Sequence, residues 1–124
     1  MKKVICSQKA PGAIGPYSQA VEMNGMVFVS GQLPINAVTG LMPEGAEAQA
    51  DQSLKNISHI LNEAGLTMDN VVKTTVFLSD MALFADVNKV YASYFDGSFP
   101  ARSAVAVRAL PKEALVEIEC IAVR

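Results

Sequence analysis

Leu115-Val116-Glu117-Ile118-Glu119-Cys120-Ile121-Ala122-Val123 decides how this chain folds. Successive side chains of a strand point to opposite faces, so Val116, Ile118, Cys120 and Ala122 share one face and Leu115, Glu117, Glu119, Ile121 and Val123 the other. Both sets are substantially apolar. A sheet surface that faces water reads polar, so this strand needs cover on both sides.

Cover for one side lies upstream. Over residues 46–64, Ala50, Leu54, Ile57, Leu61 and Ala64 recur at three- and four-residue steps, and Gly65 supplies the stop of an amphipathic helix. Asp80 caps a second helix whose apolar stripe is Phe84, Val87, Tyr91 and Tyr94 or Phe95, ended by Gly97. Two such helices can cover one face of a sheet of five or six strands. The second face is left for other subunits, and the pattern predicts an oligomer.

The other strands follow from their punctuation. Residues 71–78 are dense in β-branched side chains and read as a central strand, and 103–107 as another, separated from the last by Leu110-Pro111-Lys112. Segments 19–22 and 26–29 flank Asn24-Gly25, which supplies the positive φ angles of a tight hairpin turn. Val4 and Ile5 open a short edge strand. The run Ala10-Pro11-Gly12-Ala13-Ile14-Gly15-Pro16 sustains neither helix nor central strand and is a loop. The expected order is β-β-β-α-β-α-β-β, a mixed α+β domain spanning 1–124.

The 124 residues are 51% hydrophobic, enough for a single core without disulfides or a structural metal. Ten Lys+Arg against twelve Asp+Glu leave a net charge of −2, which offers no electrostatic footprint for nucleic acid. No apolar run approaches the length of a membrane span, and no signal-peptide stretch follows Lys2 and Lys3, so the expected location is cytoplasmic. Cys6 and Cys120 are read as two packed, reduced thiols. One His and no CxxC exclude a zinc site, and His59 falls beside Gln52, Lys55 and Asn62 on the solvent side of its helix.

Few residues are left to carry chemistry. Glu117 and Glu119 alternate with apolar residues on a strand expected to meet a partner subunit, where a carboxylate must be paired or neutralised. They are either interface ion-pair members or functional groups. Arg102 follows Pro100-Ala101 at a strand start, where its planar fork is either a carboxylate clamp or an exposed strand end. Ser30-Gly31 offers a hydroxyl and an approachable N–H, as a turn or a small-ligand site. GxSxG, GxGxxG and GxxxxGK[ST] are all missing, which argues against a serine triad and a phosphate-cradling loop.

The segments Ala10-Pro-Gly-Ala-Ile-Gly-Pro-Tyr-Ser-Gln19, Ser30-Gly-Gln-Leu-Pro34, Val72-Lys-Thr-Thr-Val-Phe77, Phe99-Pro-Ala-Arg-Ser-Ala-Val105, Leu110-Pro-Lys112 and Val116-Glu-Ile-Glu119 resemble signatures of the reactive-intermediate deaminases, the YjgF/UK114-like or RidA family. The resemblance spans nearly the whole chain. It implies a chorismate-mutase-like fold assembled as a homotrimer, with sites in the clefts between subunits. It implies hydrolysis of 2-imino or 2-enamino acids to 2-keto acids and ammonia, without a cofactor, and the composition and spacing already set aside a metal, nucleic acid and a membrane as partners. By the same resemblance Arg102 binds the substrate carboxylate, Glu117 orients or activates the attacking water, Tyr17 and Ser30 line the pocket, Gly31 and Ala104 present backbone groups, and Asn88 is a neighbour. Ala104 stands where many relatives have Cys, so no thiol at that position is expected to be essential. Two other readings carry different expectations: a ligand-binding or holdase-like trimer without turnover, and the endoribonuclease or translation-inhibitor role attached to older family labels, which the net charge disfavours.

Overall fold

The computed structural model describes residues 1–124. Its strands are β1 (Lys3–Ile5), β2 (Ala20–Met23), β3 (Met26–Gln32), β4 (Val71–Leu78), β5 (Ala101–Ala106) and β6 (Val116–Val123), and its helices are α1 (Ala46–Glu63) and α2 (Phe84–Ala92). One six-stranded sheet runs in the order β1-β2-β3-β6-β4-β5. Every neighbouring pair is antiparallel except β4 and β5, which are parallel and joined through α2. The architecture is the mixed α+β fold expected, with the expected element order.

The alternation of β6 holds along its length. Val116, Ile118, Cys120 and Ala122 are buried against the helices, whereas Glu117, Glu119 and Ile121 are only half-buried on the opposite face. On the helix-covered side Leu54, Ile57, Ile60 and Leu61 of α1 are completely buried over Val27 and Val29 of β3 and Val76 and Leu78 of β4. On the open side Phe28, Val105 and Val123 keep 40%, 44% and 37% of their surface, a largely uncovered apolar sheet face in the single chain.

Local chemistry accounts for the boundaries, and for several departures from the expected ones. Asn24 and Gly25 adopt φ of 52° and 78°, the two positive values a type I′ hairpin turn requires. β3 runs past residue 29 to Gln32, because a bulge at Ser30-Gly31 lets the chain continue pairing: Val29 faces Cys120 but Gln32 faces Ile118. Asp80 caps a 3-10 turn over Met81–Leu83, its Oδ1 accepting from the Ala82 N–H at 2.8 Å, and α2 starts only at Phe84. β5 starts two residues earlier than expected, so that Arg102 lies within the strand.

One expectation about a single residue is corrected, and another holds. Cys120 is buried, but Cys6 is exposed: it lies just beyond the three-residue β1, too short an element to cover it. His59 is half-buried and shares a polar surface hollow with Cys6, Lys9 and Glu63. No helix is long and apolar enough to cross a membrane.

Candidate active site in two halves

Ser30 and Gly31 form the bulge of β3 and together oppose the Glu119 region of β6, which aims the loop end of β3 at Glu117. A hollow of ≈ 380 Å³ opens there, lined by Tyr17, Ser30, Gly31, Gln32 and Glu117. Its walls are held by backbone-directed hydrogen bonds. The Ser30 hydroxyl donates to the Ser18 carbonyl at 2.6 Å, and the Ser30 N–H donates to the Gln19 carbonyl at 2.9 Å. Gln19, almost fully buried, accepts from the Ser7 N–H at 2.7 Å and donates to the Ser7 and Pro11 carbonyls at 3.1 and 2.8 Å. One amide side chain thus pins the loop that presents Tyr17, which itself keeps 54% of its surface.

Glu117 is the reactive candidate of this half. None of the three ion pairs of the chain involves it. Burial, and to a lesser degree the like charge of Glu119 two residues along the same face, raise its proton affinity above the ordinary carboxylate value. Its carboxylate rests against Gly31, where a Cβ would overlap the Glu117 Oε2 atom. Only glycine leaves the acid in this position. Gly31→Ala is expected to fold normally, since Gly31 does not need a positive φ, yet to displace the carboxylate and lower turnover by up to about 10²-fold. Steady-state kinetics beside a melting curve checks this, and wild-type kcat would contradict it.

Arg102 occupies the other half. It pairs in register with Thr74, whose side chain points into the helix-covered core, whereas Glu117 pairs with Phe77 of the opposite parity. The two therefore project from opposite faces of the sheet. Arg102 Nη1 donates to Asn88 Oδ1 at 2.6 Å, and the guanidinium lies 4.9 Å from the Tyr91 ring centroid and 5.1 Å from that of Phe84. A hollow of ≈ 350 Å³ beside it is lined by Asn88, Tyr91, Phe99, Pro100 and Arg102. No carboxylate of the chain neutralises this arginine. Ala104, two residues on, packs against the core on the same face as Arg102.

Of the residues singled out in the sequence, Tyr17, Ser30, Gly31 and Glu117 come together, and Arg102 and Asn88 come together, but the two groups do not meet within one chain. The sequence reading missed Gln19 as the anchor of the Tyr17 loop, and the aromatic pair flanking Arg102. Phe84, Asn88 and Tyr91 recur at four- and three-residue steps on one stripe of α2, a spacing that could have revealed the second. No group of three or more His, Cys, Asp or Glu side chains is placed to hold a metal ion.

A family model described as "Endoribonuclease L-PSP" matches residues 7–124. The chain is 51% identical to a mouse protein named 2-iminobutanoate/2-iminopropanoate deaminase, over 100% of this chain and 93% of the relative. Among solved structures, a Rid-family protein of unknown function, YyfA from Yersinia pestis, superposes with a TM-score of 0.97 at 53% identity, covering 100% of both chains. Escherichia coli TdcF with bound serine superposes with a TM-score of 0.95 at 47% identity, covering 98% of each.

Proposed function

The chain belongs to the endoribonuclease L-PSP family, the Rid proteins, and we propose that it works as a hydrolytic deaminase: it converts 2-imino acids, and the 2-enamino acids that tautomerise to them, into 2-keto acids and ammonia. Glu117 is the observation that carries this reading. An unpaired, half-buried carboxylate with raised proton affinity, set beside a hydroxyl and a bulged backbone, is suited to take a proton from water and hand it on.

The chemistry asks for little more. The carbon of a protonated imine is already electrophilic, so no covalent nucleophile is needed. Water adds to C2 as its proton passes to Glu117, giving a tetrahedral amino alcohol. Glu117 returns that proton to nitrogen, the C–N bond breaks as the new hydroxyl gives its own proton back to Glu117 and forms the keto group, and the keto acid leaves with ammonia, which carries that proton away as ammonium. The guanidinium of Arg102 holds the C1 carboxylate, and Tyr17, Ser30, Gly31 and Ala104 line the site around the reacting carbon. No cofactor or metal takes part in these steps. Binding alone would need only the arginine, so the joint presence of Arg102 and Glu117 favours turnover over a ligand-binding or holdase-like role. The serine bound in TdcF is itself a small amino acid with a free carboxylate, in keeping with a ligand of this size.

For both groups to act on one substrate, two chains must contribute. Arg102 and Glu117 sit on opposite faces of one sheet, and the face bearing Glu117 is apolar and uncovered. We assign the protein to a homotrimer in which the Arg102 hollow of one copy meets the Glu117 hollow of the next. Light scattering across a size-exclusion peak should give three times the 13.2 kDa chain mass, and a monomer at micromolar concentration would remove the shared site. The proposed compartment is the cytoplasm, where the exposed Cys6 remains a thiol.

A coupled assay tests the activity itself. A serine or threonine dehydratase releases the imine, semicarbazide traps what survives, and the added protein should suppress the semicarbazone signal catalytically. A suppression that is stoichiometric with added protein would point to the binding reading. Cleavage of added RNA without imine hydrolysis would favour the endoribonuclease reading.

A further inference from the structure

We propose that Phe84 and Tyr91 of α2 form an aromatic slot that fixes the Arg102 guanidinium for carboxylate capture, and that Thr74 holds Tyr91 in place for this purpose. The inference rests on the reading of Arg102 as the carboxylate clamp and makes Tyr91 a positioning residue of the same site.

An arginine near the start of an edge strand is ordinarily a mobile group with many rotamers. Arg102 is exposed, yet three contacts restrict it. Both ring centroids lie within the roughly 6 Å over which an aromatic face attracts a guanidinium. Asn88 engages one of its five N–H donors and leaves the others for a ligand.

The slot continues into the core. Tyr91 is 3% exposed, and its hydroxyl shares a 2.7 Å hydrogen bond with the hydroxyl of Thr74, which is 1% exposed. Thr74 is the direct sheet neighbour of Arg102. The remaining core-facing residues of β4 are Val71, Val76 and Leu78, so packing alone would be served by valine at 74. A buried threonine earns its place here through the hydroxyl that Tyr91 meets. Tyr91 also packs against the Phe95 ring, tilted at 47° with centroids 5.0 Å apart, which limits the room its own ring has to swing. Sheet, helix and guanidinium are thereby locked in one chain of contacts: Thr74, Tyr91, Arg102, Asn88.

Substituting the slot should alter substrate capture and spare chemistry. Phe84→Leu and Tyr91→Leu are expected to raise KM about five- to tenfold with kcat within about twofold of wild type, and Tyr91→Phe, which keeps the ring, to shift KM less. If Tyr91→Leu fails to fold, Phe84→Leu, at a partly exposed position, carries the test alone. Chemical rescue supplies a readout that a packing role would not move. Guanidinium chloride at millimolar concentration should restore activity of Arg102→Ala by about tenfold, and the restoration should vanish in Arg102→Ala combined with Phe84→Leu. Wild-type KM in a folded Phe84→Leu protein, no rescue of Arg102→Ala, or rescue undiminished by Phe84→Leu, would each overturn the slot. Full activity of Arg102→Ala without guanidinium would instead overturn the carboxylate clamp on which it rests.

Discussion

Arg102→Ala is expected to lose about 10²-fold or more in kcat/KM for imine hydrolysis while its oligomeric state and melting temperature stay close to wild type. Each hydrogen bond from a charged donor to a charged acceptor is worth about 1.5 to 3 kcal/mol, and a bidentate fork makes two. The loss should fall mainly on KM. Arg102 has no carboxylate partner within the chain, so its removal strands no buried charge and the fold has little reason to respond. Arg102→Lys should recover only part of the activity, because a point charge on a flexible stem fits neither the planar slot nor two carboxylate oxygens at once. Steady-state kinetics on the coupled assay decides it; full activity in the Ala variant would show that the carboxylate is held elsewhere.

Glu117→Gln separates proton transfer from binding. The amide keeps shape and hydrogen-bonding capacity but cannot accept the proton of the attacking water. Turnover should drop by about two to four orders of magnitude, while affinity for a non-reactive 2-keto acid such as pyruvate changes little. A general base acts only when ionised, so the wild-type rate should fall as pH drops through the Glu117 value, which burial and then Glu119 raise above that of an ordinary glutamate. Stability runs the other way. A folded chain that binds this proton more tightly than an unfolded one has its extra stability below the ordinary Glu value and loses it as pH rises through the raised one. At neutral pH the Gln variant should therefore melt no lower than wild type, which excludes misfolding as the cause of its lost rate. A folded Glu117→Gln protein with the wild-type oligomeric state and wild-type turnover would remove the general-base role and leave positioning by Arg102, Tyr17 and Ser30.

Periodicity made much of the fold readable. Alternation along β6 and the three- and four-residue steps of α1 report which side chains are buried, and those are set by local geometry that every residue of the element repeats. Asn24-Gly25 reports a turn because few other residue pairs accept its dihedrals. The bulge at Ser30-Gly31 has no such signature, since it depends on pairing with a strand some 90 residues away along the chain, and so β3 looked shorter than it is. The start of α2 is hidden for a related reason: Asp80 caps either a 3-10 turn or an α-helix with the same side-chain bond, so the cap alone does not say where the regular helix begins. Individual candidate residues were named by resemblance, but their division into two groups was not visible. That division follows from strand register, in which Arg102 matches Thr74 and Glu117 matches Phe77, and register is a property of two strands together.

The position of β6 also governs how the molecule comes into being. It is last of the strands along the chain, yet it sits in the middle of the sheet, between β3 and β4. Until it arrives, the β1-β2-β3 meander and the β4-α2-β5 unit share no strand pairing, and each exposes an unpaired edge where the other should join. A ribosome emitting the chain from its N-terminus must therefore release two unfinished half-sheets before either can close. Such edges invite pairing with the same edges on neighbouring nascent chains, so stalled or truncated products lacking β6 are expected to aggregate rather than fold partially. Glu117 rides on that same strand. The carboxylate proposed for proton transfer thus enters the molecule in the step that completes the sheet, and no half-made chain displays it beside Gly31.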